Sequence, residues 1–177
     1  MINEINPDVY ISTEDIAART KEIGNAITKE FRGEEVVVLC VLKGAFIFCS
    51  DLLREINLPT KLEFISLSSY GANTESSGNV IMEMDVTSNL EGKNVIIVED
   101  IVDTGLTMKF LLGLLEQKKP KTLKVASLLH KTSRTQVPIT VDYLGFEIED
   151  KFVIGYGLDY AGRYRELPYI GVLNAGN

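Results

Sequence analysis

Histidine occurs once in the 177 residues, as His130, and cysteine only twice, as Cys40 and Cys49. One histidine leaves no room for Cys/His zinc sites or for a Ser-His-Asp triad built in the usual way. Its place at the end of an expected strand reads as structural. Two cysteines make no disulfide framework. Both lie in apolar stretches, Val-Leu-Cys-Val-Leu and Phe-Ile-Phe-Cys-Ser, where buried structural thiols are expected. No apolar run approaches the roughly 20 residues that span a bilayer. The N-terminus, Met-Ile-Asn-Glu-Ile-Asn-Pro-Asp, lacks the basic and apolar regions of a signal peptide. A cytoplasmic protein without a membrane partner is the expectation. Positive charge is also in deficit: the net charge of −7 argues against a nucleic-acid partner, whose binding face would be basic.

What is present is ordinary for a globular domain, with 45% hydrophobic and 24% charged residues. Apolar runs alternate with helical patterns, which predicts an α/β fold around a parallel sheet. Ser12 or Thr13 can cap a first helix carrying Glu14 and Asp15 in its first turn, with Ile16, Ile23 and Ile27 on one face. Residues 36–42 read as a central strand buried on both faces, and 45–56 as the helix that follows. Further strands are expected at 62–69, 80–84, 94–98, 123–129, 141–146 and 152–156, with a helix at 106–117 stopped by Lys118-Lys119-Pro120. The polar stretch 70–79 reads as a surface loop or a lid. No repeat, low-complexity tract or linker interrupts this order, so 1–177 reads as a single domain.

Ligands of open parallel sheets bind beyond the carboxyl ends of the strands. Here those ends hold Lys43-Gly44, Ser69-Tyr70, the acids Glu99, Asp100 and Asp103, and His130-Lys131. The segment 95–107, Val-Ile-Ile-Val-Glu-Asp-Ile-Val-Asp-Thr-Gly-Leu-Thr, is the most informative of all. Two adjacent carboxylates at the end of a buried strand are costly unless something satisfies them. Gly105, two threonine hydroxyls and a starting helix then make a phosphate-holding loop. Acids able to meet sugar hydroxyls or a metal thus stand beside a phosphate site. Magnesium bridging acids and phosphates would reconcile a phosphorylated ligand with the negative net charge. A P-loop motif is absent, and Gly155-Tyr156-Gly157 fails as a dinucleotide fingerprint because Tyr160 stands where a third glycine belongs.

The segment 95–107 resembles the phosphoribosyl-diphosphate-binding motif of type I phosphoribosyltransferases. Val-Leu-Lys-Gly at 41–44, Ser69-Tyr70, Lys131, and Asp-Lys-Phe-Val-Ile-Gly-Tyr-Gly-Leu-Asp-Tyr at 150–160 narrow the resemblance to the hypoxanthine-guanine phosphoribosyltransferases. It covers about residues 36–173. It implies a mostly parallel central sheet flanked by helices, with a small hood formed by the N- and C-terminal segments. It further implies purine salvage: transfer of the 5-phosphoribosyl group to N9 of hypoxanthine or guanine, with Mg2+ as cofactor and a homodimer or homotetramer as assembly.

By the same resemblance Thr104, Gly105, Leu106 and Thr107 hold the 5′-phosphate, and Glu99 and Asp100 the ribose hydroxyls and the magnesium shell. Lys43, Gly44 and Arg165 hold pyrophosphate; the peptide before that lysine is often cis in the family. Asp103 is the general base near the purine N7. Lys131 donates to O6, Phe152 stacks on the base, and the Val153 backbone reads its edge. Asp159 lies at the purine site and binds a second magnesium. Ser69 and Tyr70 open a lid loop. Two positions depart from the pattern: Leu106 replaces a lysine of some relatives, and His130 an acid of many bacterial ones. The alternatives are a regulatory protein of the same fold that senses phosphoribosyl diphosphate, and a receiver-type domain phosphorylated on a strand-end aspartate. The latter leaves Gly105, the threonines and Arg165 without a purpose.

Overall fold

Val36–Leu42 (β2) and Asn94–Val102 (β5) are built from apolar residues on both faces, and they pair in parallel at the centre of a six-stranded sheet. The computed structural model describes residues 7–69 and 80–173. In chain order the other elements are β1 (Asp8–Ile11), α1 (Thr13–Glu30), α2 (Phe46–Glu55), β3 (Thr60–Ser69), β4 (Val80–Met84), α3 (Leu106–Glu116), β6 (Thr122–His130), β7 (Tyr143–Glu147), β8 (Val153–Ile154) and β9 (Ile170–Val172). The main sheet runs β4-β3-β2-β5-β6-β7, parallel throughout except for β4, which is antiparallel to β3. Three short strands, β1-β9-β8, form a separate antiparallel sheet from the two ends of the chain.

Strand alternation divides the core in two. Val36, Val38, Cys40, Ile96 and Val98 pack with α1 and α2 through Ile16, Ile23, Ile27, Phe48 and Leu52. Val37, Leu39, Val41, Val95 and Ile97 point the other way and pack with α3 through Met108, Leu111 and Leu115. Both thiols are buried in the first of these layers. Hydrogen bonding with Cys49 and burial push the Cys40 thiol upward, so it is no nucleophile. The chain leaves β2 toward β3 on one side and β5 toward β6 and β7 on the other. The crevice between β2 and β5 is therefore where the strand order reverses, the place where such sheets bind ligands.

Several element boundaries differ from the sequence reading, each for a local reason. β5 continues four residues beyond 98, because its ladder with β6 carries on through Glu99, Ile101 and Val102 after pairing with β2 has ended at Val98. The two acids thus lie within a strand that has lost one neighbour. β7 begins at Tyr143, because the Asp142 carboxylate turns inward to accept from the Val125 N–H and from Lys124. β8 is only two residues long, since Gly155 and Tyr156 adopt positive φ and turn the chain. β1 and β9, four and three residues long, were too short to register as periodic patterns. Ser12 is the α1 cap, its hydroxyl accepting from the Asp15 N–H.

Candidate active site

The three helices begin differently. α1 has a side-chain cap and two acids in its first turn. α2 and α3, which follow the two central strands, have neither. A helix start left without cap or acid keeps unpaired N–H groups and a positive dipole end for an anion. At α3 the N-cap is Gly105 with φ 84°, and a Cβ there would overlap the Val137 carbonyl, so glycine is required. The Leu106 N–H reaches only the Thr104 hydroxyl, at 3.4 Å. A cavity of about 80 Å³ opens at this point, lined by Glu99, Ile101, Val102, Asp103, Thr104, Gly105, Thr107 and Met108. The Thr104 carbonyl accepts from Gln136 and Val137, which ties the loop to the segment after β6.

At α2 the start is prepared by the loop Lys43-Gly44. The Leu42–Lys43 peptide is cis, as the family resemblance suggests, and the Lys43 side chain is exposed. Gly44 is pressed from two sides. A Cβ on it would collide with the Asp100 carboxylate, while its own carbonyl lies where a Cβ on Gly157 would be. Three segments that are distant in sequence therefore meet with backbone-level closeness: the end of β2, the end of β5, and the turn after β8.

Between these two helix starts sit Glu99 and Asp100. Alternation along β5 sends Glu99 to the cavity beside α3 and Asp100 to Gly44 beside α2. Glu99 is buried; its Oε1 accepts from the Asp100 N–H, and Asp100 Oδ1 accepts from the Ile101 N–H. Burial, and then the neighbouring Asp100 carboxylate, hold the Glu99 carboxyl well above the usual range. Such a pair suits sugar hydroxyls or a divalent cation. Among the described residues there is no group of three or more His, Cys, Asp or Glu side chains able to cage a metal. A cation here would rely on substrate oxygens and water for most of its shell, which is how magnesium is commonly held.

The remaining expected residues fall into two groups. Arg165 and Asp159 are paired, Nη2 to Oδ1 at 2.7 Å, and the Arg165 Nη1 donates to the Gly157 carbonyl at 2.5 Å. The other Asp159 oxygen accepts from the Gly162 N–H at 2.7 Å. Arg165 thus stands against the turn that touches Gly44. Lys131, only 8% exposed, reaches Asp150 Oδ1 at 3.3 Å, and its N–H donates to the Val102 carbonyl. Phe152 is 53% exposed, its ring perpendicular to that of Tyr160 with centroids 5.7 Å apart, and Val153 is buried in β8. Ser69 ends β3; Tyr70 and the rest of the expected lid lie outside the described residues.

One residue was missed by the sequence reading. Arg134, at the end of the 3₁₀ turn Thr132–Arg134, lies 3.0 Å through Nε from Asp103 Oδ1 and 3.3 Å through Nη1 from Asp150 Oδ1. Against a desolvation penalty, hydrogen bonds from Lys131 and Arg134 hold Asp150 below the usual carboxylate range. Read alone, an arginine in Thr-Ser-Arg-Thr looks like a solvated surface cation. Only its distance from Lys131 could have drawn attention to it.

Residues 11–161 match the family model described as a phosphoribosyl transferase domain. The chain is 48% identical over 170 residues to the hypoxanthine-guanine phosphoribosyltransferase of Dictyostelium discoideum, covering 94% of each chain. It is 45% identical over 165 residues to that of Bacillus subtilis, covering 93% of this chain and 92% of the relative. A crystal structure of a hypoxanthine-guanine phosphoribosyltransferase from Bacillus anthracis superimposes with a TM-score of 0.91 at 47% identity, over 97% of this chain and all of the other.

Proposed function

The chain belongs to the hypoxanthine-guanine phosphoribosyltransferase family, and from that premise we propose that it transfers the 5-phosphoribosyl group of phosphoribosyl diphosphate to N9 of a 6-oxopurine. The products are inosinate or guanylate and pyrophosphate. One observation carries this reading: two uncapped helix starts flank a pair of carboxylates at the crevice where the strand order reverses. A donor with phosphate at either end of a hydroxylated sugar has the complementary order of groups.

In this reading the α3 start, with Thr104, Gly105, Leu106 and Thr107, holds the 5′-phosphate. Leu106 supplies only its backbone, so the anion is held by N–H groups, threonine hydroxyls and the dipole. Glu99 and Asp100 receive the ribose hydroxyls. The Lys43-Gly44 loop and Arg165 hold the pyrophosphate, whose negative charge grows as the C1–oxygen bond breaks. Glu99 and Asp100 would hold one magnesium ion and Asp159 a second, which would neutralise charge on the donor oxygens. Asp159 has both oxygens engaged by Arg165 and Gly162, so it would hold its ion mostly through water.

On the acceptor side, Asp103 takes the proton that leaves the purine as N9 attacks. Lys131, fixed by Asp150 and by the end of β6, donates to O6. Phe152, a half-exposed aromatic ring, stacks on the base, and the Val153 backbone reads the purine edge. The whole chain serves as one catalytic domain, with the β1-β9-β8 sheet as its hood. A cytoplasmic location and assembly into a dimer or tetramer belong to the same proposal. The matched relatives carry enzyme names, and the regulatory alternative finds no support among them.

The test is direct. Purified protein with phosphoribosyl diphosphate, Mg2+ and hypoxanthine or guanine should form the corresponding nucleotide at a rate that vanishes on chelation. Formation of neither nucleotide contradicts the proposal.

A further inference from the structure

Arg134 bridges two carboxylates that come from different parts of the chain. Its Nε faces Asp103 Oδ1 at 3.0 Å and its Nη1 faces Asp150 Oδ1 at 3.3 Å, the same oxygen that Lys131 reaches at 3.3 Å. Asp103 Oδ1 is buried and lacks an aligned hydrogen bond, so the contact with Nε is an ion pair held by proximity. The Asp103 side chain as a whole is 40% exposed, so its accessible area lies away from Oδ1, on the side of Oδ2. One oxygen is turned inward to the arginine and the other is left to the site.

We propose that Arg134 is a positioning residue of the transfer reaction: it clamps Oδ1 of Asp103 so that Oδ2 meets the purine, and it fixes Asp103 relative to the Lys131–Asp150 pair. The inference rests on the acceptor-side reading above, in which Asp103 and Lys131 touch the same base. A guanidinium suits this task because its N–H groups diverge in one rigid plane, so two carboxylates gripped by it keep a set separation. A lysine offers a single point charge and can hold only one of them well. The turn itself is anchored at both ends. Lys131 donates its N–H to the Val102 carbonyl, Arg134 donates its own to the Lys131 carbonyl, and Gln136 and Val137 donate to the Thr104 carbonyl. The base and the O6 donor are therefore held in one frame, and a purine entering it meets an acceptor and a donor at fixed spacing.

Steady-state kinetics on the full chain, as a double-mutant cycle, test the inference. Arg134→Met should lower kcat/KM for hypoxanthine by about 10–10²-fold, through kcat and the purine KM together. The donor KM should stay within about twofold, because the ion pairs of the Arg134 side chain among the described residues go to Asp103 and Asp150 and not to the threonines or acids that would hold the donor. The melting temperature should move by less than about 2 °C, since half-exposed ion pairs contribute little to folding. Arg134→Lys should recover part of the loss. Asp103→Asn alone should cut kcat by roughly 10²–10⁴, and adding Arg134→Met to it should cost less than about threefold more, because the two act as a unit. The inference is overturned if Arg134→Met matches wild type, if it costs the same factor with and without Asp103→Asn, or if the donor KM rises in step with the purine KM. A wild-type chain that makes neither nucleotide overturns the parent reading and this inference together, whereas an active wild type with any of those three results overturns the inference alone.

Discussion

Glu99 is the residue whose environment is hardest to justify by folding alone. It is buried beside a second carboxylate, and both circumstances oppose its charge. Its folded carboxyl keeps a proton to higher pH than the unfolded one does. The stability it withholds is therefore small in acid and grows as pH rises through the ordinary carboxylate range toward the raised value. Glu99→Gln keeps the oxygen that accepts from the Asp100 N–H while removing the charge. That variant should melt higher than wild type in metal-free buffer, at about 2–4 °C per kcal/mol recovered, and the gap should widen between pH 5 and pH 8. Scanning calorimetry across that range checks it; a gap that closes with rising pH would count against the argument. The gain should come with lost turnover, as at other sites where a strained charge serves a ligand. At this scale the sequence was informative about types and poor about partners. The acids of 99–103 stand out because strand ends are where chemistry gathers. Arg134 does not, because Asp103 and Asp150 reach it only through the fold.

Ser12, Glu14 and Asp15 give α1 its own cap and its own negative charge, so it needs no ligand. α2 and α3 lack both, and both open into the same crevice. That contrast could be read from residues 45–48 and 105–109, where neither helix offers an acid in its first turn. What could not be read was how near the α2 start lies to the acids of β5, which Gly44 sets. Its missing side chain leaves room for the Asp100 carboxylate. Gly44→Ala should fold, because the clash falls on the movable end of a side chain, but it displaces Asp100 from between the loops. The donor KM should rise by up to about 10²-fold while the purine KM changes little, as initial rates with each substrate varied would show. An equal rise in both KM values would mean that Gly44 serves the fold generally. β5 teaches the complementary lesson. Its apolar run ends at Val98, yet the strand runs to Val102, since its pairing with β6 outlasts its pairing with β2.

For the molecule as a whole, alternation of apolar runs was enough to establish an α/β sheet, and the order of strand ends pointed to the crevice between β2 and β5 where the site is proposed. Of the hood sheet only β8 was legible from pattern, as part of the strand expected at 152–156, because β1 and β9, of four and three residues, hold no period. The net charge of −7 fits the proposed reading, in which paired carboxylates would meet a cation and anion binding would fall to backbone N–H groups and a few basic side chains. Among the described residues no helix is long and apolar enough to cross a membrane. The central claim is that one crevice joins a donor site shaped by Glu99, Asp100 and two helix starts to an acceptor site defined by Asp103 and Lys131. In the proposed reading Lys131, which donates hydrogen bonds and accepts none, faces position 6 of the purine, so a carbonyl there is favoured over an amino group. The most direct measurement is the initial rate with hypoxanthine, guanine and adenine at saturating phosphoribosyl diphosphate and Mg2+. Hypoxanthine or guanine should exceed adenine by a factor on the order of 10⁴ in kcat/KM, and Lys131→Met should erase most of that ratio. Adenine turnover comparable to that of the 6-oxopurines would contradict the account.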